Sequence, residues 1–273
     1  MDMLLYLKAA LLGLLEGATE FLPISSTGHL IIASDLLNFT GERAKTFNIF
    51  IQLGAILAIV WHYRVKVISV ARGVRHDPAA RRFVANLLIA FLPAAVLGLL
   101  LHSTIKAYLF NPVSVAAALV LGGLAILWIE ARQRTPRIDH VDDLRWQDAL
   151  KVGVAQSFAL FPGVSRAGAT IMGGLLSGLS RQAATEFSFF LAIPTMFAAT
   201  FYDLYKSRDL IHSEEAALLL TGLVCAFFSA LVVVKGFLAF VARHDFKVFA
   251  WYRIVFGGVV LVLGLTGLVH FNS

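Results

Sequence analysis

The chain has 273 residues, of which 59% are hydrophobic and 15% are charged, with a formal net charge of +6. A soluble domain carries roughly a quarter charged residues, so this composition, with a mean hydropathy of +0.79, excludes an ordinary water-soluble fold. Long apolar runs alternate with short basic loops, a pattern typical of an all-α polytopic membrane protein. Because the basic residues lie in these loops, we attribute the charge to membrane topology and expect no nucleic-acid partner.

The first apolar segment, at about 5–38, is interrupted by Pro23, several glycines and a cluster of polar residues. A second segment of the same kind lies at about 147–180. Irregular backbone persists at membrane depth only where protein buries it or where it lines a cavity. We therefore expect each segment to form a re-entrant pair of half-helices. Met1 to Leu15 lack the basic start and cleavage site of a signal peptide, so we expect them to stay in the fold.

Uninterrupted apolar segments make up most of the remaining chain, and six of them are long enough to cross a membrane as helices. In chain order they lie at about 47–63, 84–102, 112–130, 185–205, 216–238 and 250–270. The prediction is therefore an all-α bundle of about six transmembrane helices plus the two re-entrant pairs.

The loops between these segments differ strongly in basic residues. The loops at 64–83, 131–151 and 242–248 carry thirteen Lys and Arg residues, whereas those at 103–111 and 206–214 carry three. The positive-inside rule places the richer set in the cytoplasm. Both termini then lie outside, the first re-entrant pair enters from outside, and the second enters from the cytoplasm.

An internal repeat appears when the sequence is shifted by 140 residues. The shift aligns the two interrupted segments without a gap and superposes Gly13 on Gly153, Phe21 on Phe161, Ser25 on Ser165 and Gly28 on Gly168. With opposite orientations in the membrane, this is an inverted-topology repeat, in which broken helices of both halves build a site near the midplane. We predict one membrane domain over 1–273, with repeat 1 at about 1–130 and repeat 2 at about 147–273.

The first interrupted segment carries four candidate functional residues. Glu16 and Glu20 lie four residues apart, so a helix places both carboxylates on one face. Ionisable groups at membrane depth are costly and usually functional, and a bound cation, a shared proton or an arginine would stabilise this pair. Ser26 and His29 follow Pro23 at a spacing of three, and a hydroxyl beside an imidazole is typical of a nucleophile with its base.

The second interrupted segment has a turn containing Pro and Gly that opens onto a predicted helix. Ser165 and Arg166 would lie in its first turn, with Thr170 one turn later. Free N–H groups at a helix start favour an anion, and the guanidinium of Arg166 matches phosphate oxygens. Gln52, in the segment at 47–63, either joins the site or bonds a neighbouring helix. A phosphorylated substrate would satisfy a cation site, a nucleophile and an anion clamp together.

Three stretches resemble the bacterial undecaprenyl-diphosphate phosphatase family of the bacitracin-resistance type: residues 16–29 (EGATEFLPISSTGH), 161–170 (FPGVSRAGAT) and 184–194 (ATEFSFFLAIP). The resemblance covers the whole chain in length, repeat and order. One departure is Ala167, where the family often has a serine, so that hydroxyl cannot be essential if this protein is active.

The resemblance implies hydrolysis of undecaprenyl diphosphate to undecaprenyl phosphate, which recycles the lipid carrier of cell-wall synthesis, and bacitracin acts on the same lipid. It implies a divalent cation, Mg²⁺ or Ca²⁺, held by Glu16 and Glu20. It also implies a site at the outer face of the bacterial cytoplasmic (inner) membrane, and it allows a homodimer. Carried over by position, the catalytic residues are Glu16, Glu20, Ser26, His29 and Arg166, and the substrate-binding residues are Ser25, Thr27, Ser165 and Thr170, to which we add Gln52.

Several mechanisms and functions stay open at this point. In the first mechanism Ser26 attacks the terminal phosphate with assistance from His29, and Arg166 holds the phosphate oxygens. In a variant, His29 or a glutamate activates water directly. A different class of function, a transporter or flippase of a lipid phosphate, would share the broken helices and the repeat, but transport alone does not require Ser26 with His29. A structural scaffold would leave the glutamate pair and Arg166 unexplained.

Overall fold

The computed structural model describes residues 3–132, 135–206 and 216–268, apart from some side chains within 42–45 and 102–107. Helices make up almost all of these ranges. They are α1 (Met3–Thr19), α2 (Ser26–Leu36), α3 (Glu42–His62), α4 (Arg64–Gly73), α5 (Pro78–Leu109), α6 (Pro112–Ala131), α7 (Trp146–Ser157), α8 (Arg166–Leu176), α9 (Arg181–Lys206), α10 (Ala216–Val241) and α11 (Lys247–Leu265).

Five helical stretches in these ranges are long and apolar enough to cross a membrane: Pro78–Leu101, Pro112–Ala131, Arg181–Lys206, Ala216–Val241 and Lys247–Leu265. A sixth is counted if Thr46–His62 and Arg64–Gly73, which meet at a bend of 76°, form one span. Each predicted span coincides with one of these helices, which confirms an all-α, multi-pass membrane protein.

Two predicted loops are wrong, and a third falls largely outside the described residues. The region 64–83 contains α4, because Val67 and Val70 pack on the core from one face of a helix. The region 103–111 is helical as far as Leu109. Asn111 then begins α6, since its side chain accepts a hydrogen bond from the Ser114 N–H at 2.9 Å. Of the loop predicted at 206–214, only Lys206 is described.

Both interrupted segments fold as two helices joined by an irregular connection. The first broken pair is α1–α2, with Pro23 in its connection, and the second is α7–α8, with Pro162 in its connection. Helices α2 and α8 are each eleven residues long, and their starts lie 140 residues apart. The residues before them, Ser25 and Ser165, have φ angles of 71° and 73°, which are uncommon for a residue other than glycine.

Packing in the two halves follows one scheme. Helix α1 of the first broken pair packs on α10, α7 of the second packs on α5, and α6 packs on α11. Gly13 and Gly153, which the repeat superposes, make close approach possible: a Cβ on Gly13 would collide with the Gly222 carbonyl oxygen of α10, and one on Gly153 with that of Ala90 in α5. The halves thus share helix register and packing, while their opposite orientation in a membrane stays a prediction.

A buried carboxylate links the ends of three helices. Glu130, at the end of α6, accepts hydrogen bonds from Arg181 of α9 at 3.1 and 2.5 Å, and from the Phe246 N–H before α11 at 2.9 Å. The Glu130 side chain is only 3% exposed, whereas that of Arg181 is 44% exposed. This cluster holds α6, α9 and α11 together at one end of the bundle.

We expect Glu130→Ala to lower the free energy of unfolding by about 1–3 kcal/mol, because it leaves the buried Phe246 N–H without an acceptor. Solvent around the half-exposed Arg181 limits the loss of ion-pair energy. Thermal unfolding of the purified protein in detergent measures the effect, with the exposed Arg243→Ala as a control. A variant as stable as the control would show that this cluster does not hold the helix ends.

Candidate active site

The connections of the two broken pairs meet around one cavity of about 210 Å³. Its polar lining comes from both pairs, from α3 and from α9: Glu20, Ser25, Ser26, Thr27, Gln52, Ser165, Arg166 and Thr195. Phe161, Pro162, Met196 and Ala199 are among the apolar residues that complete it. The volume lies below the roughly 300–1,000 Å³ of pockets for drug-sized ligands. The cavity therefore has room for a small polar group rather than for a long hydrocarbon chain.

A chain of polar contacts crosses the cavity from one broken pair to the other. Ser26, the first residue of α2, donates its hydroxyl proton to Glu20 Oε2 at 2.5 Å. The other carboxylate oxygen, Oε1, accepts a hydrogen bond from Arg166 Nη2 at 3.2 Å. A carboxylate this close to a hydroxyl is placed to take up its proton. Glu20 and Ser26 thus have the geometry of a base and a nucleophile.

Arg166 is held by α9 on one side and by the first connection on the other. Its Nη1 donates to the Ser188 carbonyl oxygen of α9 at 3.1 Å, and its guanidinium lies 5.6 Å from the ring centre of Phe21. The Nε atom is buried and has no hydrogen-bond partner. A buried donor without a partner, next to a polar cavity, is available to an anionic ligand.

Glu16 lies one helical turn before Glu20 and is buried, with 2% of its surface exposed. Its Oε2 atom has no hydrogen-bond partner. In the described part of the chain, no cluster of three or more His, Cys, Asp or Glu residues could hold a metal ion. Mg²⁺ commonly binds through one or two carboxylates together with substrate phosphates and water. Glu16 is not among the residues that line the cavity, but its unpaired oxygen one turn from Glu20 fits this type of site if substrate and water supply the remaining ligands.

His29 occupies a different place from the predicted one. Its Nδ1 lies 2.7 Å from the Ser25 carbonyl oxygen and its Nε2 lies 2.6 Å from the Tyr252 hydroxyl. The ring stacks on Phe256 with 4.1 Å between centroids. The predicted hydrogen bond between Ser26 and His29 is therefore absent: Ser26 bonds Glu20 instead, and His29 bonds Ser25 and Tyr252. The Ser26 hydroxyl turns back towards the end of α1, whereas the imidazole faces α11.

The predicted substrate-binding residues divide into two groups. Thr27 and Gln52 line the cavity, and Thr27 is exposed to it. Ser165 also lines it, but its hydroxyl accepts a hydrogen bond from the Gly168 N–H at 3.1 Å and so caps α8. Thr170 is buried behind Arg166, where its hydroxyl donates to the Arg166 carbonyl oxygen at 2.9 Å and contacts the Ser188 hydroxyl at 2.6 Å. Thr170 thus supports the helix that carries Arg166 rather than facing the cavity.

Arg253 lies in this region and was not among the residues predicted from the sequence. Its side chain is 1% exposed and donates hydrogen bonds of 2.8–3.2 Å to five backbone carbonyl oxygens. These belong to Pro23 in the first connection, to Gly163 and Val164 in the second, and to Ala118 and Leu119 of α6. The arginine therefore ties both connections to α6. An ionisable residue inside the span predicted at 250–270 was the sequence feature that could have revealed it.

The fold and the site define a multi-pass membrane protein whose two broken helix pairs bring a serine, a carboxylate and an arginine to one cavity. The chain belongs to the family described as bacitracin resistance protein BacA, because the profile of that family matches residues 9–259. This confirms the resemblance found in the sequence.

Curated relatives match over their full length. The chain is 60% identical to an undecaprenyl-diphosphatase of Nitrosospira multiformis, 58% identical to one of Nitrosomonas eutropha and 59% identical to one of Aromatoleum aromaticum. In each comparison the alignment covers 100% of this chain and 100% of the relative.

Proposed function

We propose that this protein hydrolyses undecaprenyl diphosphate to undecaprenyl phosphate and inorganic phosphate, and so recycles the lipid carrier of cell-wall synthesis. The contact chain Ser26–Glu20–Arg166 supports the proposal, because a hydroxyl, a carboxylate and a guanidinium meet in one cavity and could act as nucleophile, base and phosphate clamp. The relatives named undecaprenyl-diphosphatase, aligned over their full length, support the choice of substrate.

In the proposed first step, Ser26 Oγ attacks the terminal phosphorus while Glu20 Oε2 accepts the hydroxyl proton. The new Oγ–P bond forms as the bond from phosphorus to the bridging oxygen breaks, and undecaprenyl phosphate leaves. The free Nε of Arg166, and its Nη groups once they turn from Glu20, donate to the phosphoryl oxygens. Such fixed donors stabilise the charge of the transition state.

In the second step, water attacks the phosphoserine, after Glu20 has released its first proton to solvent. Glu20 accepts a proton from this water, the Oγ–P bond breaks, and the proton returns to Ser26 as inorganic phosphate leaves. The polar part of the cavity holds these reactants, while the surrounding bilayer holds the prenyl chain. The cavity volume of about 210 Å³ is consistent with a site that holds the phosphate groups and leaves the prenyl chain in the bilayer.

Glu16 and Glu20 would hold the divalent cation, Mg²⁺ or Ca²⁺. When bound, this cation would supply positive charge that offsets the charge of the diphosphate. The unpaired Oε2 of buried Glu16 supports this assignment.

Removal of divalent cations with a chelator is expected to lower phosphate release by at least about tenfold, since carboxylates and diphosphate would otherwise repel each other. Adding back Mg²⁺ or Ca²⁺ should restore the rate, and comparison of the two identifies the preferred ion. A rate unchanged by chelator, with residual metal excluded by elemental analysis, would contradict a cation at Glu16 and Glu20.

We further propose that the protein resides in the bacterial cytoplasmic (inner) membrane with this cavity open to the outer side. The concentration of basic residues in the loops at 64–83, 131–151 and 242–248 supports the orientation. Hydrolysis there would act on the same lipid as bacitracin and thus protect the cell from it. A homodimer stays a prediction, which light scattering of the detergent-solubilised protein tests.

The decisive experiment for the function is phosphate release by the purified protein in detergent, where no second compartment exists. We expect release from undecaprenyl diphosphate, and assays across prenyl diphosphates give the preferred chain length. No release in detergent, together with movement of the lipid phosphate across vesicle membranes, would favour a transporter instead.

A further inference from the structure

The turn that aims Ser26 at Glu20 is strained. Ser25 has φ 71° and ψ 94°, a backbone conformation that is unfavourable for a residue other than glycine. It persists only where surrounding contacts hold it in place. Because Ser25 directly precedes Ser26, its backbone angles determine where the Ser26 hydroxyl points.

The equivalent turn in the second broken pair has its own support, whereas this one does not. Ser165 has nearly the same φ, 73°, but its hydroxyl caps α8 through the Gly168 N–H. The Ser25 side chain makes no such capping hydrogen bond. The contact that replaces it is the one from His29 Nδ1 to the Ser25 carbonyl oxygen, at 2.7 Å.

Two residues of α11, Tyr252 and Phe256, hold the His29 ring in place. The Ser25 carbonyl oxygen can only accept a hydrogen bond, so His29 Nδ1 carries the proton. In the neutral ring Nε2 then accepts, and the Tyr252 hydroxyl donates to it at 2.6 Å. Phe256 stacks on the same ring at 4.1 Å and limits its rotation. Tyr252 thereby selects the tautomer that holds the Ser25 turn.

We propose that Tyr252 is a positioning residue, which acts through His29 on the strained Ser25 turn and so keeps the Ser26 hydroxyl on Glu20. In this arrangement His29 serves as a hydrogen-bonding support and takes no proton from Ser26. The inference rests on the proposed phosphatase function, and it assigns a role to a residue of α11 that lies away from the cavity.

The test compares three substitutions by steady-state phosphate release. Tyr252→Phe removes the hydroxyl and is expected to lower kcat about tenfold, the equivalent of one lost hydrogen bond, with KM unchanged. His29→Asn keeps an N–H donor near the Nδ1 position and should stay within about tenfold of the wild type. His29→Gln places its donor near the Nε2 position instead, away from Ser25, and should lose about 100-fold or more. Tyr108→Phe, at an exposed tyrosine of α5, is the control.

A general-base role for His29 makes a different prediction, because neither amide can accept a proton: both His29 variants would then lose activity equally, by about 10²–10⁴-fold. Equal losses in correctly folded protein, or a Tyr252→Phe rate equal to that of the control, would overturn the proposal. Size-exclusion profiles and melting temperatures establish folding, and Tyr252 is 44% exposed, so its substitution leaves the core intact. If wild-type protein releases no phosphate, the proposed function fails instead.

Discussion

Replacement of Ser26 by alanine is expected to lower phosphate release from undecaprenyl diphosphate by at least about 10³-fold, because it removes the attacking oxygen. The remaining rate would come from water held by Glu20 and Arg166. In wild-type protein the hydroxyl lies 2.5 Å from Glu20 Oε2, so the proton acceptor is already in place. Chemical quenching during turnover of labelled substrate should trap phosphate on the wild-type protein and none on Ser26→Ala.

The control for this experiment is Ser69→Ala, which removes an exposed hydroxyl from α4, outside the cavity. It should retain the wild-type rate and the trapped label. A Ser26→Ala rate within about tenfold of the wild type would show that a glutamate activates water directly, without a phosphoserine intermediate. The same conclusion would follow if no label were trapped under any quench condition.

Substitution of Arg166 by lysine is expected to lower kcat/KM by about 10²–10³-fold, although the positive charge is kept. The guanidinium binds Glu20 Oε1 and the Ser188 carbonyl oxygen with different nitrogens and leaves Nε free for a ligand. A single ammonium cannot reproduce this planar arrangement of donors. The measurement is phosphate release over a range of substrate concentrations, which separates kcat from KM.

Arg181→Lys offers a matched control, because Arg181, like Arg166, binds a buried carboxylate, that of Glu130, but lies outside the cavity. It should lower the melting temperature and keep the specific activity of the folded protein. Equal kcat/KM values for Arg166→Lys and the wild type would show that Arg166 does not bind the phosphate in the transition state.

Hydropathy and helix-breaking residues were sufficient to predict most of the architecture. The spans followed from apolar length, and the two connections followed from Pro23, Pro162 and the polar residues around them. Helix α4 was missed because its basic residues resemble those of a loop, while only Val67 and Val70 face the core. A short amphipathic helix beside a span gives too weak a hydrophobic period to outweigh its charge.

The residues lining the site were predictable, but their contacts were not. Spacing along a helix suggested Ser26 with His29, yet the positive φ of Ser25 turns the hydroxyl towards Glu20. Single-sequence patterns carry no information on such a backbone angle at a serine, because the His29 ring that bonds the Ser25 carbonyl oxygen is itself bonded by Tyr252 of α11, more than 200 residues later. Thr170 was likewise placed in the site by its motif, whereas its hydroxyl bonds within its own helix.

Arg253 has a consequence for the order of assembly. Its five acceptor carbonyls come from chain segments on both sides of the 131–145 region, and the arginine itself lies near the end of the sequence. Burial of a guanidinium whose acceptors are missing costs several kcal/mol. Neither half of the chain therefore satisfies all the donors of Arg253 by itself. We therefore expect the two connections to reach their final form only after α11, which carries Arg253, has been synthesised.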